Sequence, residues 1–421
     1  MTRIVKSTSQ INTLKHPASL LDLISYLMDD PDRRLDGAVI THLPSGWANE
    51  SALQKGATSA HFEFLYTASI LMGREWVFDH DFNATIETVA FQRPEDASSF
   101  IEDCLLQPKD LRKHPTFRQY LVQTPDKDLL VTIADHAVTD LTSLFQWIRH
   151  QLKVVRGQEA NKIPKSFDPP VLRFHNNPKR KNSSAHLGPS ATLWKNTSRC
   201  SARRAFHSTV IEIDKFENFL AQNDGCTYND LLTATALKAA QKWNQDHSQK
   251  ARRISVWLPV NIREKPFNGF GNGSSRIRIY ADPASSKDLV AFSKNVRHQV
   301  RNAKKEGEWF VPQRMKLEAL PDSLLYPLLR LYFDRPWVDM GTLPFSHVEK
   351  ITPPESTEGF DQVLGFEVIG SLHRRHPLGI TAITHKKKTT FTCTYDPAQL
   401  TQDDVEEFLA LIRTTLKEAE D

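Results

Sequence analysis

Between Lys127 and Gln151 the hydrophobic pattern changes its period, and that change constrains the fold more than any other part of the chain. Leu129, Leu130, Val131, Thr132, Ile133 and Ala134 are almost all apolar on both alternating faces, the pattern of a strand covered on both sides of a sheet. From Leu141 onward, Leu144, Phe145, Ile148 and Leu152 recur at helical spacing. The polar residues Asp135, His136, Thr139 and Asp140 are confined to the bend between the two. An imidazole on such a bend is fixed by a core strand before it and a helix after it. It also titrates near neutral pH, so His136 is a candidate general base. Asp140 is placed to brace the turn or to hold a cation, and either it or Thr139 has the chemistry of a helix N-cap.

At 421 residues the chain has room for two cores. Its 39% hydrophobic and 25% charged residues are ordinary for a globular protein, and no apolar run reaches the length of a membrane span. The first residues lack the continuous apolar core of a signal peptide. Cys104, Cys200, Cys226 and Cys393 are far apart, with no Cys-x-x-Cys pair, which points to neither a disulfide framework nor a zinc site. A cytoplasmic, reduced, monomeric enzyme is the expectation. A net charge of +4 does not call for a nucleic-acid partner, and neither a GxGxxG nor a P-loop is present.

The composition divides the chain into a first lobe over 1–160, a crossover over 161–205 and a second lobe over 206–421. In the first lobe, Ala18–Leu27 carries a helical stripe, Thr85–Phe91 alternates like a strand and Ser98–Leu106 reads as a short helix. Between Asp168 and Glu212 there is no acidic residue, while Arg173, Lys179, Arg180, Lys181, Lys195, Arg199, Arg203 and Arg204 are spread among prolines, asparagines and serines. That stretch reads as a solvated linker or as a cationic surface for phosphates. In the second lobe, His207–Ile213, Ile254–Ile262 and Ser275–Tyr280 read as strands. Gly379–Thr384 and Thr389–Tyr395 read as a hairpin. Thr227 with Asp230 caps one helix, and Thr401 with Asp403 and Asp404 opens the last. His373, His376 and His385 stand among Arg374, Arg375 and Lys386–Lys388 and read as a solvated turn rather than metal ligands.

The segment from Asp135 to Leu144 resembles the His-His-x-x-x-Asp-Gly motif of a large acyltransferase superfamily that includes nonribosomal peptide condensation domains, alcohol acyltransferases and wax ester synthases. Asp135 stands where many members have the first His, and Leu141 where many have Gly. Tyr228-Asn229-Asp230 is similar to the superfamily's Asn-Asp segment, and Val338-Asp339-Met340-Gly341 to its Ser-Asn-x-Gly segment with Asp339 in place of Asn. Leu258-Pro259-Val260-Asn261-Ile262-Arg263 followed by Gly271-Asn272 resembles the segment whose arginine reaches the motif aspartate. The resemblance implies an α/β fold of two chloramphenicol-acetyltransferase-like lobes, a pseudodimer of mixed sheets with a central channel. It also implies His136 as general base, Asp140 paired with Arg263, and Asp135, Asn272 and Ser274 near the substrate. The implied reaction moves an acyl group from a thioester to a hydroxyl or amine in natural-product biosynthesis, without a covalent acyl-enzyme, a metal or a resident cofactor. Coenzyme A or a carrier protein's pantetheine would bring the acyl group, and a small molecule would accept it. A member diverted to cyclisation or dehydration of a tethered intermediate, or a module that only docks a carrier protein, are the alternatives.

Overall fold

The computed structural model describes residues 14–28, 35–107, 109–172, 190–213, 216–223, 225–264, 269–285, 288–307, 320–334, 340–348 and 359–419. Asp339 and positions 173–189 of the basic stretch lie outside the described residues. The strands before the crossover are β1 (Lys15–Pro17), β2 (Asp36–Pro44), β3 (Ser69–Met72), β4 (Glu75–Phe78), β5 (Ile86–Ala90), β6 (Arg118–Gln123) and β7 (Lys127–Asp135). Those after it are β8 (Ala205–Glu212), β9 (Ile254–Asn261), β10 (Ser274–Ala281), β11 (Leu343–Val348), β12 (Gly365–Ile369), β13 (Leu378–His385) and β14 (Lys388–Tyr395). The helices are α1 (Leu20–Met28), α2 (Glu50–Glu63), α3 (Pro94–Leu106), α4 (Leu141–Val155), α5 (Glu217–Gln222), α6 (Tyr228–Asp246), α7 (Leu289–Glu306), α8 (Asp322–Asp334) and α9 (Gln402–Lys417).

Two lobes result, each built on a mixed sheet with helices, and the first also carries a three-stranded antiparallel sheet, β1-β4-β3. The first sheet runs β12-β2-β7-β6-β5, and β7 lies at its middle with every residue from Asp128 to Asp135 buried. That burial explains the unbroken apolar run, because α3 covers one face through Ala97, Ile101 and Cys104 while α2 and α4 cover the other. The second sheet runs β10-β9-β11-β13-β14-β8, with β11 parallel to both β9 and β13 and the other pairs antiparallel. Leu231, Leu237 and Trp243 of α6, Phe292 and Val296 of α7, and Phe408 and Ile412 of α9 fill its core. Both expected N-terminal caps form reciprocal boxes, Thr227 with Asp230 and Thr401 with Asp404.

Strand β12 departs from a simple reading of two consecutive lobes. It lies late in the chain but pairs antiparallel with β2 in the first sheet, with Val368 opposite Val39. The lobes are therefore laced together by backbone hydrogen bonds. A second tie lies next to it. Arg204, at the end of the crossover, donates to the Asp36 carbonyl at 2.7 Å and pairs with the Asp36 carboxylate. Lys109 lies 3.9 Å from Asp36 and 2.7 Å from Asp135. All four charged side chains are buried, so their mutual pairing offsets desolvation that would otherwise be prohibitive. Burial alone would raise the Asp36 carboxyl, but Arg204 and Lys109 outweigh it and hold the group below its ordinary 3.8.

A depressed carboxylate contributes stability that is complete above its unfolded value and is lost as pH falls through its folded one. Denaturation midpoints of the wild type should therefore hold from neutral pH to about 4 and fall below that, as Asp36 is forced to protonate. Asp36→Ala, which strands Arg204, should cost about 3–5 kcal/mol at pH 7 and flatten part of the acid limb. Equal midpoints for the two proteins at pH 7 would show the cluster to be dispensable.

Candidate active site

Strand β7 ends at Asp135, and α4 begins after Asp140, so His136 sits on the bend between them. Its backbone N–H donates to Leu35 O at 3.2 Å, stitching the turn to the residue that precedes β2. Its Nδ1 lies 3.1 Å from Asn272 Oδ1. The Asn272 amide can face only one way. Its Nδ2 donates to Asp22 Oδ1 at 2.9 Å, His136 O at 2.7 Å and Ala137 O at 3.1 Å, all acceptors. Oδ1 is thus the atom turned to the ring, and it requires a proton on Nδ1. In the neutral imidazole this leaves Nε2 with its lone pair, the form that takes a proton.

Asp140 is both brace and cap. Its Oδ1 accepts from Ser143 N at 3.0 Å, the N-cap bond of α4, and Arg263 grips the carboxylate with two bonds, to Oδ2 at 2.8 Å and to Oδ1 at 3.0 Å. Gly273 N and Ser274 Oγ also donate to Oδ2, at 2.9 and 2.8 Å. Burial alone would raise the Asp140 carboxyl, and Arg263 with these amides holds it below its usual range instead. Arg263 is fully buried, with further bonds to Ser143 Oγ and Gly271 O, both 2.7 Å. The guanidinium is reached only because position 273 has no side chain: a Cβ there would stand 2.5 Å from Arg263 Cγ and Cζ.

His136, Thr139 and Ser274 line a cavity of about 270 Å³ between the lobes. Ala38 and Val39 of β2, Trp257 and Pro259 of β9, Phe345 of β11, Val368 and Ile369 of β12 and Ile380 of β13 make its walls mostly apolar. Arg276 stacks on Trp257, its guanidinium carbon 3.8 Å from the ring centre.

The other sequence candidates are distributed differently. Asp135 does not line this cavity. Its carboxylate pairs with Lys109 and accepts from Ala137 N at 2.8 Å, and it borders a separate pocket with Tyr26 and Arg112. Asn272 lies behind His136 with both amide hydrogens engaged, and Ser274 reaches the cavity with its proton given to Asp140. Neither is arranged to donate to an oxyanion. His373 and His376 are buried rather than solvated. His376 Nε2 lies 2.9 Å from Met340 O, and burial pushes the ring down to about 4. His385 is half-buried, 3.0 Å from Val363 O. His373 Nδ1 accepts from Arg375 N at 3.3 Å, and Lys386 Nζ shares the Val363 carbonyl with His385, at 2.9 Å. Sequence reasoning missed Asp22, Lys109 and Ser143. A carboxylate set between Leu21 and Leu23 on the stripe of α1 was the one available signal, since an unpaired charge there would be costly.

No protein-family model matches the chain, and no curated protein matches it by sequence. Solved structures do match. The first condensation domain of the CDA synthetase superposes with a TM-score of 0.71 at 12% identity, over 97% of each chain. Trichothecene 15-O-acetyltransferase from Fusarium sporotrichioides gives 0.67 at 13%, over 97% of this chain and 95% of that one. The wax ester synthase/diacylglycerol acyltransferase from Marinobacter aquaeolei VT8 gives 0.63 at 14%, over 96% and 98%. The protein has the two-lobed fold of these enzymes along essentially its whole described length.

Proposed function

We propose that this chain is an acyltransferase of the HxxxD type, moving an acyl group from a thioester to a hydroxyl or amine acceptor with His136 as general base. The observation that carries the reading is the state of His136: its Nδ1 is committed to Asn272 Oδ1, and the residue opens on a cavity between two lobes. A ring held in that tautomer can accept a proton on Nε2 as the acceptor attacks the thioester carbonyl. The new bond forms from the acceptor oxygen or nitrogen to the carbonyl carbon, and the negative charge moves to the carbonyl oxygen. Collapse of the tetrahedral intermediate breaks the carbon–sulfur bond, and the imidazolium proton neutralises the departing thiolate. No acyl-enzyme is required. Ser346, Ser371 and Thr381, whose residues line the cavity, are better placed to meet the oxyanion than Asn272 or Ser274, whose hydrogens are engaged.

The apolar walls favour an acyl group or acceptor of hydrocarbon character. Coenzyme A or pantetheine enters as substrate, and no resident cofactor has a part in the step. Lys195 and Arg199 of the crossover supply cations for phosphates or a carrier protein, whereas Arg203 is paired with Glu102 and Asp103. Cyclisation or dehydration gains no support from the replacement of the first motif His, because Lys109 already accounts for Asp135. A docking module would have no use for a histidine held in one tautomer.

Purified protein should release thiol from acyl-coenzyme A or acyl-pantetheine donors when amine and alcohol acceptors are supplied, and His136→Ala should abolish release while its thermal melt stays near wild type. Equal rates for the two proteins would eliminate His136 as the base. Arg263→Met strands the Asp140 carboxylate and should cost about 3–5 kcal/mol together with activity. The paired change Asp140→Leu with Arg263→Met should regain most of that stability without regaining turnover, measured by denaturation and thiol release side by side.

A further inference from the structure

Behind His136 lies a second carboxylate that neither the motif nor the cavity includes. Asp22 belongs to the first turn of α1 and is buried, 6% exposed. Every contact of its oxygens is a donor: Asn272 Nδ2 at 2.9 Å on Oδ1, and Ser19 N at 2.9 Å and Trp76 Nε1 at 3.1 Å on Oδ2. Ser19 Oγ returns a bond from Asp22 N at 3.2 Å, so one carboxylate both starts α1 and reaches Asn272. Burial raises the Asp22 carboxyl from its ordinary value, and the bonds from Asn272, Trp76 and Ser19 oppose the rise. Acceptor-only geometry is that of the ionised form.

The other charges around the turn are occupied. Asp140 is paired with Arg263 and Asp135 with Lys109, and Arg276 faces the cavity from β10 stacked on Trp257. His16 and Tyr66 are the titratable groups on the other side of Asp22, and burial lowers the ring of the first and raises the phenol of the second from their ordinary values. No cation pairs with Asp22 among the described residues. Its negative charge is directed instead into the Asn272 amide, whose far end accepts from His136 Nδ1.

We propose that Asp22 is a positioning residue that acts on His136 through the Asn272 side chain. Together with the His136 and Ala137 carbonyls it fixes which end of that amide faces the ring, and so selects the tautomer with Nε2 unprotonated. By polarising the amide, it stabilises the imidazolium that forms when the acceptor loses its proton. The chain Asp22–Asn272–His136 is thus an acid–amide–imidazole relay in which no proton leaves the His136 ring except at Nε2. This rests on His136 being the base, but its first test needs no turnover.

In wild-type protein labelled with ¹⁵N-histidine, the His136 ring should show the Nδ1–H tautomer at a pH where it is neutral. The Nε2–H tautomer would overturn the relay whether or not the protein transfers acyl groups. The second test is the pH dependence of thiol release. Asp22→Asn removes the charge while the His136 and Ala137 carbonyls still hold the Asn272 amide, so kcat/KM should drop on the order of tenfold and its acidic limb should move down by about one pH unit, because the imidazolium loses a favourable charge. Ser19→Ala weakens the same helix start and keeps the carboxylate, so it should leave the limb in place. A limb unmoved in Asp22→Asn, or moved equally in Ser19→Ala, would reduce Asp22 to a helix cap. Should Asp22→Asn fail to fold, the wild-type tautomer still decides whether the amide is oriented as proposed.

Discussion

The two bonds between Arg263 and Asp140 are the constraint on which the rest of the site depends. They join a strand end of the second lobe to the helix start of the first, with both partners essentially out of water. In net stability such a pair is close to neutral against apolar residues of the same volume, since desolvation consumes most of the Coulombic gain. Its effect is positional. With Arg263 held by Asp140, Ser143 and Gly271, the 271–274 turn has one place to lie, and that place puts Asn272 against His136. The neighbouring glycine is part of the same arrangement, because a side chain at 273 would occupy the guanidinium's space.

A second buried ion pair performs the same task at the other end of the motif. Asp135 closes β7 and is held by Lys109, while Asp140 opens α4 and is held by Arg263, so His136 is bracketed by two carboxylates with fixed partners. Between these anchors the turn satisfies its own backbone, with Val138 N and Thr139 N bonding to Asp135 O and Asn272 taking the carbonyls of His136 and Ala137. A polar loop with that much internal hydrogen bonding has few alternative conformations, so the His136 ring is preorganised.

The strand, turn and helix from Lys127 to Val155 were legible because their periodicity is local, and the Asp140–Arg263 pair because the resemblance names both partners. The caps at Thr227 and Thr401 were legible because each lies within one helical turn of its acidic partner. What was not legible has long sequence separation. Strand β12 has five residues and owes its existence to β2, more than three hundred positions earlier. Lys109 is one lysine among many until Asp36 and Asp135 enclose it, and Asp22 appears as an ordinary first-turn acid until Asn272 arrives from the other lobe. The resemblance implies Asn272 and Ser274 near the substrate; the structure sets both beside the His136 turn and gives their hydrogens to Asp22, to two carbonyls and to Asp140. The histidines at 373 and 376 misled for the opposite reason: the arginines beside them are local, while the carbonyl that buries His376 belongs to Met340.

Neither lobe carries the site alone. The first supplies His136, Asp140 and Asp22, the second supplies Arg263 and Asn272, and both contribute to the apolar wall of the cavity. Crossing of β12 into the first sheet and the seating of Arg204 on Asp36 keep the two lobes in register by backbone bonds and a buried charge. A rigid-body separation of the lobes would therefore have to break sheet pairing and expose paired charges to one another's absence, which places it near the cost of unfolding. The cavity beside His136 lies between the lobes while these ties stay closed. The geometry of His136 is in this way set by the same contacts that fold the chain, so any change that loosens the lobe interface is felt first as a misoriented imidazole.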